Sequence, residues 1–212
     1  MSGNCSDSPT DYPSDCEILE GYRTRAREKA QTTISPEYRQ ALAKAKDIEL
    51  LLLDVDGVLT DGRLFYTGKE DESKSFHTQD GFGIRLLQEG GIDVGIITAR
   101  ESEVVKRRSS ELKMRYVYQG MVNKNKALKQ VLKDSGLKPF QIAYMGDDWL
   151  DLVLLQQVGL ALAPQNGVAE VKEAVHYITP NCGGNGAVRD ACNLILEAKG
   201  LTAQLLQKYT SR

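Results

Sequence analysis

The sequence predicts an α/β protein whose Rossmann-like parallel sheet is flanked by helices. Short apolar runs at 50–53, 94–97 and 142–145 each end in charged or turn residues, which is typical of strands covered on both faces. Segments with helical periodicity lie between these runs; residues 126–135, for example, place their apolar side chains on one face. Because strands that alternate with helices pair in parallel through right-handed crossovers, we expect one such sheet.

The predicted elements follow one another in a regular order. Ser35-Pro36-Glu37 predicts a helix start, with Ser35 as N-cap and Pro36 in the first turn. The predicted strands are 50–53, 94–97, 116–118, 142–145 and 160–162. The predicted helices are 36–46, 83–88, 102–113, 126–135, 150–157 and 187–199. One segment breaks the alternation: residues 62–66 and 72–77, joined by turn residues at 67–71, predict a β-hairpin inserted after the first strand.

Composition excludes several classes of partner. The chain has 212 residues, with 27 Lys and Arg against 29 Asp and Glu, and a net charge of −2. This balance gives no general attraction to nucleic acid or to an anionic membrane. No apolar stretch approaches the length of about 20 residues that crosses a bilayer, and the first residues do not resemble a secretory signal. None of the four cysteines forms a C-x-x-C pair, which favours reduced thiols. We predict a cytoplasmic protein that binds neither nucleic acid nor membrane.

The chain divides into an extension and a domain. Residues 1–16 are rich in Ser, Asp and Pro and poor in apolar groups, and residues 17–33 are at most a frayed helix. We predict a disordered extension over 1–35 and one folded domain over 36–212, which is long enough for a sizeable core.

The first strand ends in a pair of carboxylates. Asp54 and Asp56 are two residues apart, so both project to the same side of the strand, and Gly57 lets the backbone turn sharply. Two like charges this close need a cation or a proton to offset them, and magnesium prefers such oxygen ligands. Taken alone, the pattern D-x-D-G is equally typical of a calcium loop or of a plain turn.

Three further strand ends add polar groups in the same order along the chain. Thr98 is either a donor to a phosphoryl oxygen or an N-cap for the next helix. Lys124 is either a cation bridging nucleophile and phosphate or a surface lysine, and Lys126 competes with it for the first role. The cluster Gly146–Asp151 contains three carboxylates, of which Asp147 suits a metal and Asp148 or Asp151 suits a helix cap.

These four positions resemble the motifs of the haloacid dehalogenase superfamily. The segments LLLDVDGVLTDG, FHTQDGFGIRLL, DVGIITAR, AYMGDDWLD and GGNGAVRDACNLIL further resemble the 3-deoxy-D-manno-octulosonate 8-phosphate phosphatases over roughly residues 36–200. The resemblance implies a haloacid dehalogenase-like fold without a cap domain and a role in lipopolysaccharide precursor synthesis. Ala99 departs from the family, which commonly has glycine there.

The resemblance also implies a mechanism. Asp54 would attack phosphorus to form an aspartyl-phosphate, and Asp56 would act as acid and then as base. Magnesium would be held by the Asp54 carboxylate, the Asp56 backbone carbonyl and Asp147. Thr98 and Lys124 would stabilise charge on the phosphoryl oxygens.

Closure of the site and substrate recognition are expected to involve other parts of the chain. The spans from Asp54 to Thr98 and from Thr98 to Lys124 are too short for a separate cap domain, and the resembled family assembles as a homotetramer with active sites at subunit interfaces. We therefore expect a homotetramer built through the hairpin. The substrate would be a phosphorylated sugar acid. The candidate residues for binding it are Thr60, Arg85, Arg100 and Arg189, with Lys74 as a further cation; each cation also suits a solvated surface position.

Two other functions remain open from the sequence. The chain could hydrolyse the 9-phosphate of a nine-carbon 2-keto sugar acid, whose enzymes share these motifs. It could also be a non-catalytic oligomeric module that retains the fold, although such a module has no need of the complete set of motif residues.

Overall fold

A computed structural model describes residues 35–66 and 72–211. Its strands are β1 Leu50–Leu53, β2 Phe65–Tyr66, β3 Glu72–Ser73, β4 Asp93–Ile97, β5 Tyr116–Tyr118, β6 Ile142–Met145, β7 Leu160–Ala163 and β8 Tyr177–Ile178. Six of them form one parallel sheet in the order β5-β4-β1-β6-β7-β8, while β2 and β3 pair antiparallel as a separate hairpin. The predicted α/β fold with an inserted hairpin is confirmed.

Helices cover both faces of this sheet. They are α1 Pro36–Ala45, α2 Thr78–Glu89, α3 Glu103–Glu111, α4 Lys124–Ser135, α5 Leu152–Leu155, α6 Ala169–Ala174, α7 Ala187–Ala198 and α8 Thr202–Thr210, with short 3₁₀ turns at Pro139–Gln141 and Trp149–Asp151. Alternate residues of β1 enter opposite layers of the core. Leu51 and Leu53 pack with α1, α2, α3, α7 and α8, whereas Leu50 and Leu52 pack with α4, α5 and α6. Burial of β1 on both faces explains its uninterrupted leucines.

Several boundaries differ from the prediction. The second helix begins at Thr78, whereas the sequence predicted a start at residue 83. Two glycines, Gly81 and Gly83, lie inside this helix. A Cβ on Gly83 would come within 3.3 Å of the Arg189 Cα and 3.2 Å of the Cys192 Cβ, so glycine permits close packing of α2 on α7. Glycine lowers helix propensity, which is why the sequence pattern concealed this first turn.

Short elements were also mispredicted. The helix expected at 150–157 is a 3₁₀ turn followed by the four-residue α5, and the hairpin strands are only two residues long. The elements β8, α6 and α8 were not predicted at all. Two to nine residues carry too little periodicity to be recognised without their tertiary contacts. The extension predicted to be disordered over residues 1–35 lies outside the described residues except for Ser35, and so does the predicted turn at 67–71.

Sheet topology determines where a ligand can bind. The chain runs from β1 outward to β4 and β5 with helices on one face, then returns to β6, β7 and β8 with helices on the other. The order therefore reverses between β1 and β6, and open α/β sheets bind ligands beyond the strand ends at such a point. Within the described residues, the connections that follow β1 and β4 hold only the hairpin and single helices. None of the described helices is long and apolar enough to span a membrane.

Candidate active site

Asp54 lies at the end of β1, next to β6. Its backbone N–H donates to the Met145 carbonyl oxygen at 3.0 Å, so the sheet pairing continues as far as Asp54. Gly57 then turns the chain with φ at +92°, and a Cβ at this position would overlap the Asp147 carboxylate. Glycine thus allows the loop after β1 to lie directly against the acidic residues that follow β6.

A buried lysine links the two strand ends. Lys124 is the first residue of α4, and its side chain is only 2% exposed. Its Nζ lies 2.9 Å from Asp54 Oδ1 and 2.5 Å from Asp151 Oδ1, and donates to the Tyr144 hydroxyl at 3.1 Å. Lys126 is exposed on the surface of the same helix. The structure therefore brings Lys124, and not Lys126, to the carboxylates.

Asp151 is fully occupied by hydrogen-bond donors. Its Oδ1 accepts from Lys124 and from the Tyr144 hydroxyl, the latter at 2.5 Å. Its Oδ2 accepts from the backbone N–H groups of Asp147 at 2.9 Å and Asp148 at 3.2 Å. A carboxylate has about four acceptor positions, so Asp151 orients its neighbours. Asp148 is exposed and accepts from the backbone N–H of Trp149 at 2.7 Å, so it is the helix cap of the pair.

Three carboxylates could hold a divalent cation. Asp54, Asp147 and Asp151 each present an oxygen atom, and these atoms lie within 4.8 Å of one another. Asp147 Oδ1 is buried and has no hydrogen-bond partner among the described residues. Lys124 supplies one positive charge against three carboxylates, and such an excess of oxygen ligands suits a divalent cation. The residues present therefore fit the metal that the sequence predicted, with open oxygens on Asp54 and Asp147.

Electrostatics at this cluster favour protonation when no metal is bound. Burial raises the pKa of Asp147 to about 7, and the negative charges of Asp54 and Asp151 contribute to the rise. Burial also raises the pKa of Asp54 to about 6, although Lys124 opposes this shift. The cause in both cases is the cost of placing charge in a low-dielectric interior beside like charges.

Thr98 lies at the end of β4, as predicted. It is buried, its backbone N–H donates to the Tyr118 carbonyl oxygen at 2.9 Å, and its hydroxyl accepts from the Arg100 N–H at 3.4 Å. The N-cap of α3 is Ser102, so the alternative that Thr98 caps this helix is wrong. Ala99 is not among the residues with positive φ, so replacing the family's glycine by alanine introduces no backbone strain.

Asp56 and two of the predicted substrate-binding residues, Thr60 and Arg100, lie on the segments that follow β1 and β4. The Asp56 side chain is 24% exposed, and its Oδ2 is 3.9 Å from Arg100 Nε. Thr60 is buried inside the turn after β1, where its hydroxyl donates to the Val55 carbonyl oxygen and accepts from the Gly62 N–H, both at 3.3 Å. Arg100 is thus near the site, whereas the Thr60 hydroxyl stabilises the turn.

The other two predicted arginines lie apart from the acidic cluster. Arg85 is exposed on α2 in a groove beside Leu112 and Lys113, which precede β5. Arg189 donates from Nε to Asn193 Oδ1 at 2.9 Å, and its guanidinium lies 5.5 Å from the centre of the Phe82 ring. The structure does not bring either residue to Asp54.

Two residues gained importance only from the structure. The sequence pattern places Tyr144 in an apolar strand and gives it no role at the site. Its hydroxyl group was the available signal, because a buried tyrosine hydroxyl usually has a hydrogen-bond partner. The sequence suggested Lys74 only as a cation that could bind the substrate. In the structure its buried ammonium forms ion pairs with the carboxylates of Asp56 and Glu72, and its Nζ lies 3.3 Å from Glu72 Oε1. No sequence pattern indicated that pairing.

Comparisons with known proteins agree with this geometry. Residues 109–190 match the family of haloacid dehalogenase-like hydrolases. The chain is 37% identical over 177 residues to the 3-deoxy-D-manno-octulosonate 8-phosphate phosphatase of Escherichia coli K12, covering 84% of this chain and 94% of that protein.

Solved structures of similar proteins have the same fold. The phosphatase of this name from Moraxella catarrhalis, in complex with magnesium, phosphate and a KDO molecule, superposes with a TM-score of 0.78 at 38% identity, covering 80% of this chain and 97% of the other. The phosphatase of this name from Yersinia pestis has a TM-score of 0.76 at 37% identity, covering 79% and 89%.

The raised pKa values predict an unusual pH dependence of stability without metal. A carboxyl group whose pKa is raised on folding binds its proton more tightly in the folded state, so stability falls as pH rises from the unfolded value of 3.8 toward 7. In EDTA, we expect the free energy of unfolding in urea to decrease by about 2 kcal/mol or more across this range, relative to Asp147→Asn. Added magnesium should reverse the loss in the wild type. An equal pH slope in Asp147→Asn would contradict this prediction.

Proposed function

Since this chain belongs to the 3-deoxy-D-manno-octulosonate 8-phosphate phosphatase family of the haloacid dehalogenase superfamily, we propose that it hydrolyses 3-deoxy-D-manno-octulosonate 8-phosphate to the free sugar acid and phosphate, with magnesium as cofactor. Family membership makes the chain a phosphoric monoester hydrolase. It argues against the non-catalytic module that the sequence left open. The proposal places the enzyme in the cytoplasm, in the synthesis of lipopolysaccharide precursors.

One observation carries the proposal more than any other. Asp54, at the end of β1, is held at 2.9 Å by the buried Lys124 ammonium and shares a cluster of three carboxylates with Asp147 and Asp151. A buried ion pair of this kind is costly to assemble, and a nucleophile beside a cation and a metal site is what phosphoryl transfer requires. The magnesium, phosphate and KDO bound by the Moraxella relative support the same ligand class for this chain.

In the proposed first half-reaction, Asp54 is the nucleophile. Its carboxylate oxygen forms a bond to phosphorus while the bond between phosphorus and the sugar oxygen breaks, and Asp56 gives a proton to that oxygen. Thr98, which follows the neighbouring strand β4, and Lys124, which pairs with Asp54, would donate hydrogen bonds to the phosphoryl oxygens. Lys124 also favours the ionised form of Asp54 that attacks.

In the second half-reaction, water attacks the aspartyl-phosphate. Asp56 accepts a proton from the water as the bond between Asp54 and phosphorus breaks, which restores the free carboxylate and releases phosphate. The exposure of Asp56, at 24% of its side chain, leaves room for both the leaving group and the water. We therefore assign proton transfer to Asp56 and nucleophilic attack to Asp54, whose side chain is more buried.

Magnesium would be held by the Asp54 carboxylate, the Asp147 carboxylate and the Asp56 backbone carbonyl. When bound, it would neutralise charge on the phosphoryl group and on the two carboxylates. Asp151 would support the site by orienting Lys124 and the backbone of Asp147 through the contacts described above.

Arg100 is the best placed of the predicted substrate-binding cations. It is half exposed beside Asp56, so its guanidinium can meet the carboxylate of a sugar acid whose phosphate occupies the site. For Thr60, Arg85 and Arg189 a substrate role remains a prediction. Arg85 and Arg189 would need a neighbouring subunit's site, since their contacts lie away from Asp54, whereas the Thr60 hydroxyl is engaged within the turn after β1.

We further propose that copies of the chain assemble as a homotetramer that covers the site. Five large apolar side chains are exposed on segments that follow strand ends: Leu64, Phe65, Val122, Trp149 and Leu150. A short isolated hairpin is marginally stable in water, and exposed large apolar groups at one rim of a sheet suit an interaction surface. A neighbouring subunit on this rim would exclude water from the phosphoryl-transfer site.

A panel of phosphorylated sugars tests the substrate. We expect 3-deoxy-D-manno-octulosonate 8-phosphate to have the highest kcat/KM and the activity to disappear in EDTA and return with magnesium. A nine-carbon 2-keto sugar acid 9-phosphate as the best substrate would support the alternative function. Equal turnover of all sugar phosphates would contradict both assignments.

Asp54→Asn tests the nucleophile. The amide cannot form the aspartyl-phosphate, so we expect turnover to fall by at least about 10³-fold with an unchanged circular dichroism spectrum. Asp148→Asn is the matched control, because Asp148 lies beside the same cluster but is exposed and caps a short helix. Full activity in Asp54→Asn would remove this residue from the role.

Light scattering after size exclusion tests the assembly. The wild type should elute as a tetramer, and Phe65→Ser, which removes an exposed apolar side chain of the hairpin, should shift it toward smaller species and lower its activity. A wild type that is monomeric and fully active would refute the proposed covering of the site.

A further inference from the structure

Lys74 is a buried cation that the proposed chemistry does not use. It directly follows β3, the second strand of the hairpin, and its side chain is only 2% exposed. Its Nζ forms an ion pair with Asp56 Oδ1 and a second with Glu72 Oε1 at 3.3 Å. A lysine loses favourable hydration when it is buried, so the position is tolerated because two carboxylates compensate it.

Glu72 anchors this lysine from the other side. The pKa of Glu72 is lowered because hydrogen bonds from Ser102 and Lys74, together with the charges of Lys74 and Arg100, outweigh the effect of burial. Ser102 caps α3 and Arg100 lies in the turn after β4. Arg100 also lies 3.9 Å from Asp56 Oδ2, so the Lys74 ammonium, paired with Asp56 and Glu72, lies where the hairpin, the loop after β1 and the segment after Thr98 meet.

We propose that Lys74 is a positioning residue that holds the Asp56 carboxylate in the orientation from which it accepts a proton from the attacking water. The proposal rests on the proposed function, because it assumes that Asp56 acts as the base. An ion pair to lysine is compatible with Asp56 in its proton-accepting form, so the role belongs to the second half-reaction. There, water forms a bond to phosphorus, the bond to Asp54 breaks, and the proton of the water moves to Asp56.

The geometry supports this role over a contact with substrate. Asp56 is the more exposed of the two paired groups, and its second oxygen, Oδ2, lies 3.9 Å from Arg100 Nε. Without Lys74, no other cation in the described residues pairs with Asp56 at a shorter distance, and its carboxylate could rotate toward solvent. The Lys74 ammonium is enclosed and already has two acidic partners, so it is poorly available to a sugar carboxylate.

Steady-state and burst kinetics of Lys74→Met with 4-nitrophenyl phosphate test the proposal. This substrate has a good leaving group, so formation of the phospho-enzyme depends little on an acid. We expect kcat to fall by about tenfold to a hundredfold, KM to fall with it, and kcat/KM to change little. A burst of 4-nitrophenolate should appear as the phospho-enzyme accumulates. Lys74→Arg should restore much of kcat, and Glu72→Gln should show a smaller change in the same direction.

Two further comparisons make the outcome decisive. Lys199→Met is the matched control, because Lys199, whose side chain is 17% exposed, forms an ion pair with Glu49 away from the site; it should leave kcat and KM unchanged. A fall of kcat with constant KM and no burst would show that Lys74 is merely structural and would overturn the proposal. A raised KM for 3-deoxy-D-manno-octulosonate 8-phosphate alone would also overturn it in favour of a substrate contact. If the wild type hydrolyses neither 4-nitrophenyl phosphate nor 3-deoxy-D-manno-octulosonate 8-phosphate, the proposed function itself fails.

Discussion

The ion pairs of the buried Lys124 ammonium constrain the rest of the site. A cation that has left water needs partners at hydrogen-bonding distance, and those of Lys124 come from three places in the chain: Asp54 after β1, Tyr144 within β6 and Asp151 after β6. The parallel register of β1 and β6 brings these places together, since Leu53 pairs with Met145. Gly146 completes the arrangement, because a Cβ there would overlap the Asp151 side chain that folds back over it.

Four aspartates of this site have different environments and hence different chemistry. Asp54 is buried and Asp147 half-buried beside other carboxylates, which raises their pKa values, and both keep open oxygens that suit a metal. Asp151 is occupied by donors on both oxygens and orients its neighbours. Asp56 is more exposed and lies between Lys74 and Arg100. Residue type alone does not assign these roles; burial and hydrogen-bond partners do.

Much of the fold could be predicted because its strands carry a strong local signal. The runs that form β1 and β6 were predicted to the residue, since strands buried on both faces are continuously apolar. The bounds of β5 were also predicted to the residue, although this edge strand exposes Val117. The site could be predicted to the level of strand ends, because parallel strands place Asp54, Thr98 and Asp147 at one edge. The start of α2 and the short β8 could not be predicted, since glycines conceal the first and two residues carry no period.

The sequence by itself therefore determined the fold class, the family and the edge of the sheet to which the strand ends bring Asp54, Thr98 and Asp147. Only the tertiary structure decided that Lys124 rather than Lys126 reaches Asp54, that Asp151 supports while Asp148 caps, and that Lys74 pairs with Asp56. The physical reason is that periodicity and strand polarity are properties of neighbouring residues. Which of two nearby side chains is buried against a distant charge depends instead on helix phase and on packing between segments far apart in the chain.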